Sequence, residues 1–320
     1  MGPLRLRPPA GTLLAATLTA ACLACALPAR AQQNLGHKVL GTLGLRAGYQ
    51  QDPGVYVADR VLFFHADRVA DRNGDRTPVD VDAFANAVGG SAIFRIEPLS
   101  TFVGASISLQ LVRVRTRVRE TGMENDRVGL GDLFVQPIRL GWRLGEHFDL
   151  LAGYGFYAPT GKFDLGPPQS GVGRGYWTPE PTLGGTIYFD RRQGWNVTAL
   201  ASYNFNGELR GVDVIRGNTF QIQGAAGAHL FRIVEAGVAT YAFWQVSDDE
   251  GREVPPAIRG ARARAFGLGP EVAVTIPLLR SRLSGRWVHD VYTRTRPIGQ
   301  LFTVGLIVNL WSPSTKREEP

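Results

Sequence analysis

The sequence predicts an all-β chain, a transmembrane antiparallel β-barrel of about twelve strands with an N-terminal plug or tail segment. Three observations predict it. The chain opens with a secretory leader, its later segments alternate apolar and polar residues over about ten positions, and the links between those segments are short and long by turns.

The leader comes first. Arg5 and Arg7 form a positive n-region, Gly11–Leu27 is a stretch of small residues and leucine, and Ala29-Arg30-Ala31 supplies an A-x-A cleavage site. Residues 1–31 are therefore read as a signal peptide. A membrane anchor is the competing reading, but the stretch is short and no stop-transfer pattern follows. A lipoprotein is disfavoured because neither Cys22 nor Cys25 has leucine three residues earlier. Both cysteines of the chain lie in this leader, so the remainder crosses an oxidising compartment with neither disulfide nor thiol chemistry. Arg5, Arg7 and Arg30 also carry three of the seven net positive charges. What remains is mildly basic, and no nucleic-acid partner is expected. After the leader no segment reaches about 18 consecutive apolar residues, which excludes a bundle of membrane helices.

The alternation is clearest in Trp195–Phe205. Trp195, Val197, Ala199, Ala201, Tyr203 and Phe205 share one parity, against Asn196, Thr198, Leu200, Ser202 and Asn204, nearly all polar, on the other. Alternate residues of a strand point to opposite faces, so this strand has one apolar and one wet side, with aromatics at both ends of the apolar one. The pattern recurs in Phe148–Ala158, Trp177–Phe189, Phe220–Leu230, Phe266–Ile276 and Leu301–Leu310. Twelve such segments are expected, near 54–66, 79–95, 101–119, 126–143, 148–163, 175–189, 195–209, 218–230, 234–246, 264–276, 281–293 and 299–311. Short links (Glu97–Ser100, Gly145–His147, Asp190–Gly194, Pro277–Arg280) alternate with long polar ones (Asp67–Pro78, Asp164–Arg174, Ser247–Arg262). This is the rim asymmetry of outer-membrane barrels, and an even count returns both ends to the periplasmic side. A secreted β-sandwich also alternates, but its aromatics need not gather at strand ends.

Residues 54–311 are thus assigned to the barrel, 32–53 to a glycine-rich plug or periplasmic tail, and 312–320 to a C-terminal tail. Twelve strands fall between a filled lumen and an open aqueous channel. Parity places Glu180, Glu271, Arg286 and Asp290 inside, with Asp132 near a proline-containing strand that a bulge can shift. Tyr176, Tyr188 and Tyr292 are read as lumen-facing aromatics. Interior charges pair to hold a plug or neighbouring strands; the functional alternative is a selectivity constriction. Arg113, Arg115, Arg117 and Arg119 continue the outward register of Val103–Leu111 above the apolar band, where lipopolysaccharide phosphates would meet them, unless a bulge turns the row inward.

An enzyme is not expected. His289 and Asp290 are neighbours on a strand and point to opposite faces, so they cannot bond as triad members do. Asp80 and Asp82 share a face near the outer rim, but no glycine-flanked serine elbow and no H-E-x-x-H accompanies them. Asp71-Arg72-Asn73-Gly74-Asp75 opens like a calcium loop, yet Asp82 stands where the bidentate glutamate belongs, and a polar hairpin tip accounts for it better. No metal or cofactor is called for.

Particular stretches carry a resemblance. Gly129-Leu130-Gly131-Asp132-Leu133-Phe134-Val135-Gln136-Pro137, Ala152–Phe163, Gly175-Tyr176-Trp177-Thr178, Tyr188-Phe189-Asp190, Trp244–Asp249 and Leu268-Gly269-Pro270-Glu271 follow in order. With Gly41–Gly48 and Pro53–Val57 they resemble the family of proteins involved in the meta-pathway of phenol degradation, a set of outer-membrane transporters. The resemblance implies a barrel admitting small hydrophobic or aromatic compounds and supplies no site residues. The expected partners are outer-membrane lipid and lipopolysaccharide, a small-molecule solute and the barrel-assembly machinery. A non-conducting structural or adhesion barrel is the alternative. One departure stands out: such barrels usually end on an aromatic residue, whereas Ser312–Pro320 extends past Trp311.

Overall fold

A computed structural model of the chain describes residues 36–164, 171–191, 193–256 and 259–313. The expected signal peptide, residues 32–35 and residues 314–320 lie outside the described residues. Among the described residues the strands are β1 (Gly54–Ala70), β2 (Arg76–Thr77), β3 (Val79–Ile96), β4 (Thr101–Val118), β5 (Glu124–Leu130), β6 (Leu133–Leu144) and β7 (Phe148–Ala158). They continue with β8 (Thr178–Tyr188), β9 (Trp195–Asn204), β10 (Thr219–Phe231), β11 (Val234–Gln245), β12 (Arg264–Ile276), β13 (Ser281–Arg294) and β14 (Arg296–Trp311). Neighbours in sequence pair antiparallel around one sheet, and β14 closes it on β1 from Val55↔Trp311 to Ala70↔Arg296. The result is a closed up-and-down barrel of twelve staves. β2 is a short flange on β1, while β5 and β6 share one stave against β4. Closure satisfies every edge, which a sheet in lipid requires because no water is there to bond a free strand.

The distribution of side chains is inverted relative to a soluble protein. Gln50, Gln221, Gln223, Glu180 and Glu271 are among the largest fully buried side chains. Large apolar residues stand outside: Leu183 is 59% exposed and Phe63 50%. The alternation read from the sequence is the cause, since one parity of each strand meets lipid and the other meets the lumen. Phe220, Trp244, Phe266 and Tyr292 form a continuous outer girdle across β10–β13, with successive ring centroids 5.9, 5.3 and 5.6 Å apart. Two of the short turns are alike: a single 3-10 turn with a proline in its first two residues, Pro98 or Pro277, ends on Ser100 or Arg280 in the left-handed region.

Irregularities correct the expected strand map. The segment expected at 126–143 breaks at Gly131–Asp132, and its register shifts again between Val135 and Ile138, where Pro137 cannot donate a ladder hydrogen bond. The link expected at Asp67–Pro78 is shorter, because β1 runs on to Ala70. Tyr292 does not face the lumen as expected. An extra residue between Asp290↔Gly267 and Tyr292↔Phe266 shifts the parity of β13, and Tyr292 joins the lipid-facing girdle, 45% exposed.

Candidate functional site

Residues 36–53 run through the lumen and bond to its wall along their length. At the outer end His37 Nε2 lies 2.9 Å from Asp132 Oδ2, and its Nδ1 lies 3.1 Å from the Thr178 hydroxyl. The imidazole stacks on Tyr157 at 4.7 Å and meets the edge of Tyr176 at 4.9 Å. Burial holds its pKa below the ordinary histidine value, against the opposing pull of Asp132. Lys38 Nζ donates to Glu180 Oε1 at 2.8 Å, and Arg174 donates to the Gly36 carbonyl at 2.9 Å.

Midway, Glu271 and Arg286 form a two-pronged buried pair at 2.9 and 2.8 Å. The same carboxylate accepts the Leu45 amide at 2.9 Å, and Arg286 donates to the Gly41 carbonyl at 3.0 Å. The segment's backbone can come this close only because Gly44 lacks a side chain: a Cβ there would stand 1.7 Å from Glu271 Oε2. Below this level Arg46 and Arg282 share Glu235. The Gly48 amide donates to Thr198 at 2.8 Å and the Gln50 amide to Asp149 at 3.1 Å. Arg139 and Arg143 donate to the Tyr49 and Gln50 carbonyls, and Arg143 pairs with Asp52 at 2.7 Å. These wall contacts cluster on β6–β13.

Three cavities remain between the segment and the wall, bounded by β1, β3 and β4 and also by β6–β9. They measure about 550, 290 and 250 Å3 and have Leu43 and Arg60 in common. The first opens at the periplasmic rim beside Asp52 and Arg280, and the third ends at His37 and Asp132. Beyond it, the space at the outer mouth next to His37, Lys38 and Arg296 falls to about 70 Å3.

The structure brings together most of the residues singled out from the sequence. Asp132 accepts the Gly161 and Arg174 amides at 2.9 and 2.8 Å besides facing His37, and Tyr176 packs on that imidazole. Glu180 holds Lys38 and Asn204, and the Tyr188 hydroxyl donates to Asp149 at 3.0 Å. Asp290 accepts the Gly299 amide at 2.9 Å in the wall. Sequence reasoning missed Arg60, Asp149, Glu235 and Arg282, although Asp149 and Glu235 have the same parity as lumen residues of their own strands.

Arg113, Arg115, Arg117 and Arg119 face outward and are exposed, and each meets a carboxylate. Arg113 forks Asp126 at 3.0 and 2.6 Å, Arg115 and Arg117 share Glu124, and Arg119 binds Asp80. Asp80 and Asp82 are not partners in an acid pair, since Asp82 bonds His65 Nδ1 across the strands at 2.7 Å. The Asp71 carboxylate accepts the Asn73 and Asp75 amides of its own hairpin tip at 2.7 and 2.9 Å.

Comparison with known proteins follows the same lines. An outer membrane channel from Pseudomonas putida F1 has TM-score 0.71 at 12% identity, covering 82% of this chain and 97% of that one. The translocator domain of the autotransporter NalP from Neisseria meningitidis has TM-score 0.47 at 11% identity, covering 82% and 90%. No curated protein matches the chain. The feature shared with that channel is the fold of an outer-membrane barrel. The family described as "Putative MetA-pathway of phenol degradation" matches residues 66–305, and the chain belongs to that family.

Proposed function

We propose that the chain is a passive outer-membrane channel for small hydrophobic or aromatic compounds, and that residues 32–53 form its plug. The observation that carries this reading is the line of three cavities sharing Leu43 and Arg60 that run through the lumen beside the plug. The family description names phenol degradation, and the similar fold from Pseudomonas putida F1 is an outer membrane channel. In this reading Asp132, Tyr176, Glu180, Tyr188, Glu271, Arg286 and Asp290 shape the passage: Glu180, Glu271 and Arg286 hold the plug, and the His37 cluster closes the outer mouth. No catalytic step is assigned to any residue. Lipopolysaccharide phosphates rest on the guanidinium donors of Arg113, Arg115, Arg117 and Arg119 left over by Asp126, Glu124 and Asp80. The barrel-assembly machinery inserts the chain with β14 as its last strand.

The test is uptake into liposomes carrying the refolded mature chain, with and without residues 32–53, using phenols, a fatty acid and a sugar. Saturable phenol or fatty-acid flux, raised by the deletion, is expected. Background flux from both folded forms would leave a non-conducting structural barrel. Replacing Arg113 and Arg115 by serine is expected to lower the lipopolysaccharide that co-purifies with the barrel; unchanged amounts would remove the lipid role.

A further inference from the structure

The charge at the periplasmic end of the passage is one-sided. The widest of the three cavities is lined by Arg46, Arg60, Arg139, Arg280 and Arg282, against Asp52 as the one carboxylate among its lining residues. Asp52 is already taken by Arg143 at 2.7 Å, and Glu235, behind the wall of this space, serves Arg46 and Arg282 together. Arg139 is bonded to a backbone carbonyl. Arg60 is the sharpest case. It lies midway along β1, between Ala87 of β3 and Gly305 of β14, and lines all three cavities. Among the described residues its guanidinium has no hydrogen bond and no ion pair. The nearby carboxylate is Glu271, whose oxygens are occupied by Arg286 and the Leu45 amide.

A cation held in a narrow lumen without a protein partner is a site for a mobile anion, since desolvation makes an uncompensated charge costly and an arriving anion relieves it. The chamber directly beyond Arg60 is apolar on several sides. Leu43, Leu62, Phe134, Tyr157 and Leu200 line it, with the Phe134 and Tyr157 rings 4.7 Å apart, and its two carboxylates, Asp132 and Glu180, are already engaged by His37 and Lys38. At about 250 Å3 it has room for one small ring, since a water takes roughly 30 Å3 of liquid. A planar fork matches a carboxylate or sulfonate edge, and the adjoining rings match an aromatic body.

We propose that the channel selects single-ring aromatic acids in their anionic form, with Arg60 as the group that meets the carboxylate and the Phe134–Tyr157 chamber as the seat of the ring. This rests on the channel reading above and narrows it from aromatic compounds in general to aromatic anions. Transfer is passive and involves no bond making.

The experiment uses two permanently charged single-ring probes, benzenesulfonate and phenyltrimethylammonium, neither of which crosses lipid by losing its charge. Each is loaded into liposomes carrying the mature chain, and phenol flux is measured in parallel. Benzenesulfonate is expected to exit roughly tenfold faster than the cation, the low end of the enrichment a one-signed cleft produces. Arg60→Gln should remove most of that ratio, Arg60→Lys should retain part of it, and Arg60→Glu should favour the cation. Folding of each variant is checked by its shift in electrophoretic mobility on heating. Equal flux of both probes, or a ratio unmoved by Arg60→Gln, overturns the proposal, as does phenol flux with neither charged probe above background. Background flux of all three probes instead sinks the channel reading itself.

Discussion

Replacing Glu271 by alanine removes one carboxylate and strands three donors at once. Two are guanidinium N–H groups of Arg286 at 2.9 and 2.8 Å, and the third is the Leu45 amide at 2.9 Å. Glu271 and Arg286 are 2% and 8% exposed, so water compensates little. Breaking one side of a buried pair costs about 3–5 kcal/mol, because the remaining charge keeps its desolvation penalty and loses its partner. Removing both charges is different. The double variant Glu271→Leu with Arg286→Met leaves no buried ion, and pairs replaced this way are often neutral or stabilised. The double variant still strands the Leu45 amide and the Gly41 carbonyl, so the expected order is wild type, then the double variant, with Glu271→Ala lowest. Guanidinium unfolding in detergent micelles, followed by tryptophan fluorescence, measures it. A Glu271→Ala loss under about 1 kcal/mol would refute the assignment of this pair as the centre of the plug's attachment.

Other predictions follow from the same geometry. Gly44→Val places a side chain where Glu271 and Arg286 stand, so the segment should leave its seat while the barrel persists. A cysteine introduced at Ala47 should then react with a maleimide that the parent excludes, and continued protection would refute the close fit. For His37 burial depresses the docked pKa below 6.5, so the undocked imidazole takes up a proton first. Docking is therefore fully stabilised above pH 6.5 and weakens as pH falls from there through the lowered docked value. Maleimide labelling at position 47 should rise between pH 7.5 and pH 5, and His37→Gln should flatten the rise; a flat profile in the parent contradicts it. Glu124→Gln releases the exposed Arg115 and Arg117 and should leave the unfolding midpoint unmoved, since exposed ion pairs contribute little.

The barrel was legible because lipid and lumen impose opposite demands on alternate residues, and Trp195–Asn204 obeys both except at Leu200, an apolar residue on the lumen face. Long-range partnerships were less legible. Period-2 parity says which face a residue takes but not which distant residue it meets, so the contacts of His37 with Asp132 and of Lys38 with Glu180 are set by the path of residues 36–53. Parity itself fails wherever a bulge intervenes, as at Tyr292, and no single residue type marks that bulge. His65 and Asp82 illustrate a third limit. They are seventeen positions apart, and only the register of β1 on β3 makes them neighbours. Arg60 was overlooked because β1 carries Asp59 and His65 on its outer face, which blurs the contrast that made other strands readable.

The inverted distribution of side chains also foretells where this protein tolerates change. In a soluble domain the leucines and valines of the core resist substitution, because close packing registers every methylene. Here Leu183 and Leu268 meet fluid acyl chains, and exchanges among apolar residues there should pass almost unnoticed. Intolerance moves to Gln221, Gln223, Glu180 and Thr198, polar side chains enclosed by protein and wired to one another or to the plug. A mutational scan of this chain would look like the photographic negative of a soluble protein's: permissive where it is greasy, strict where it is polar.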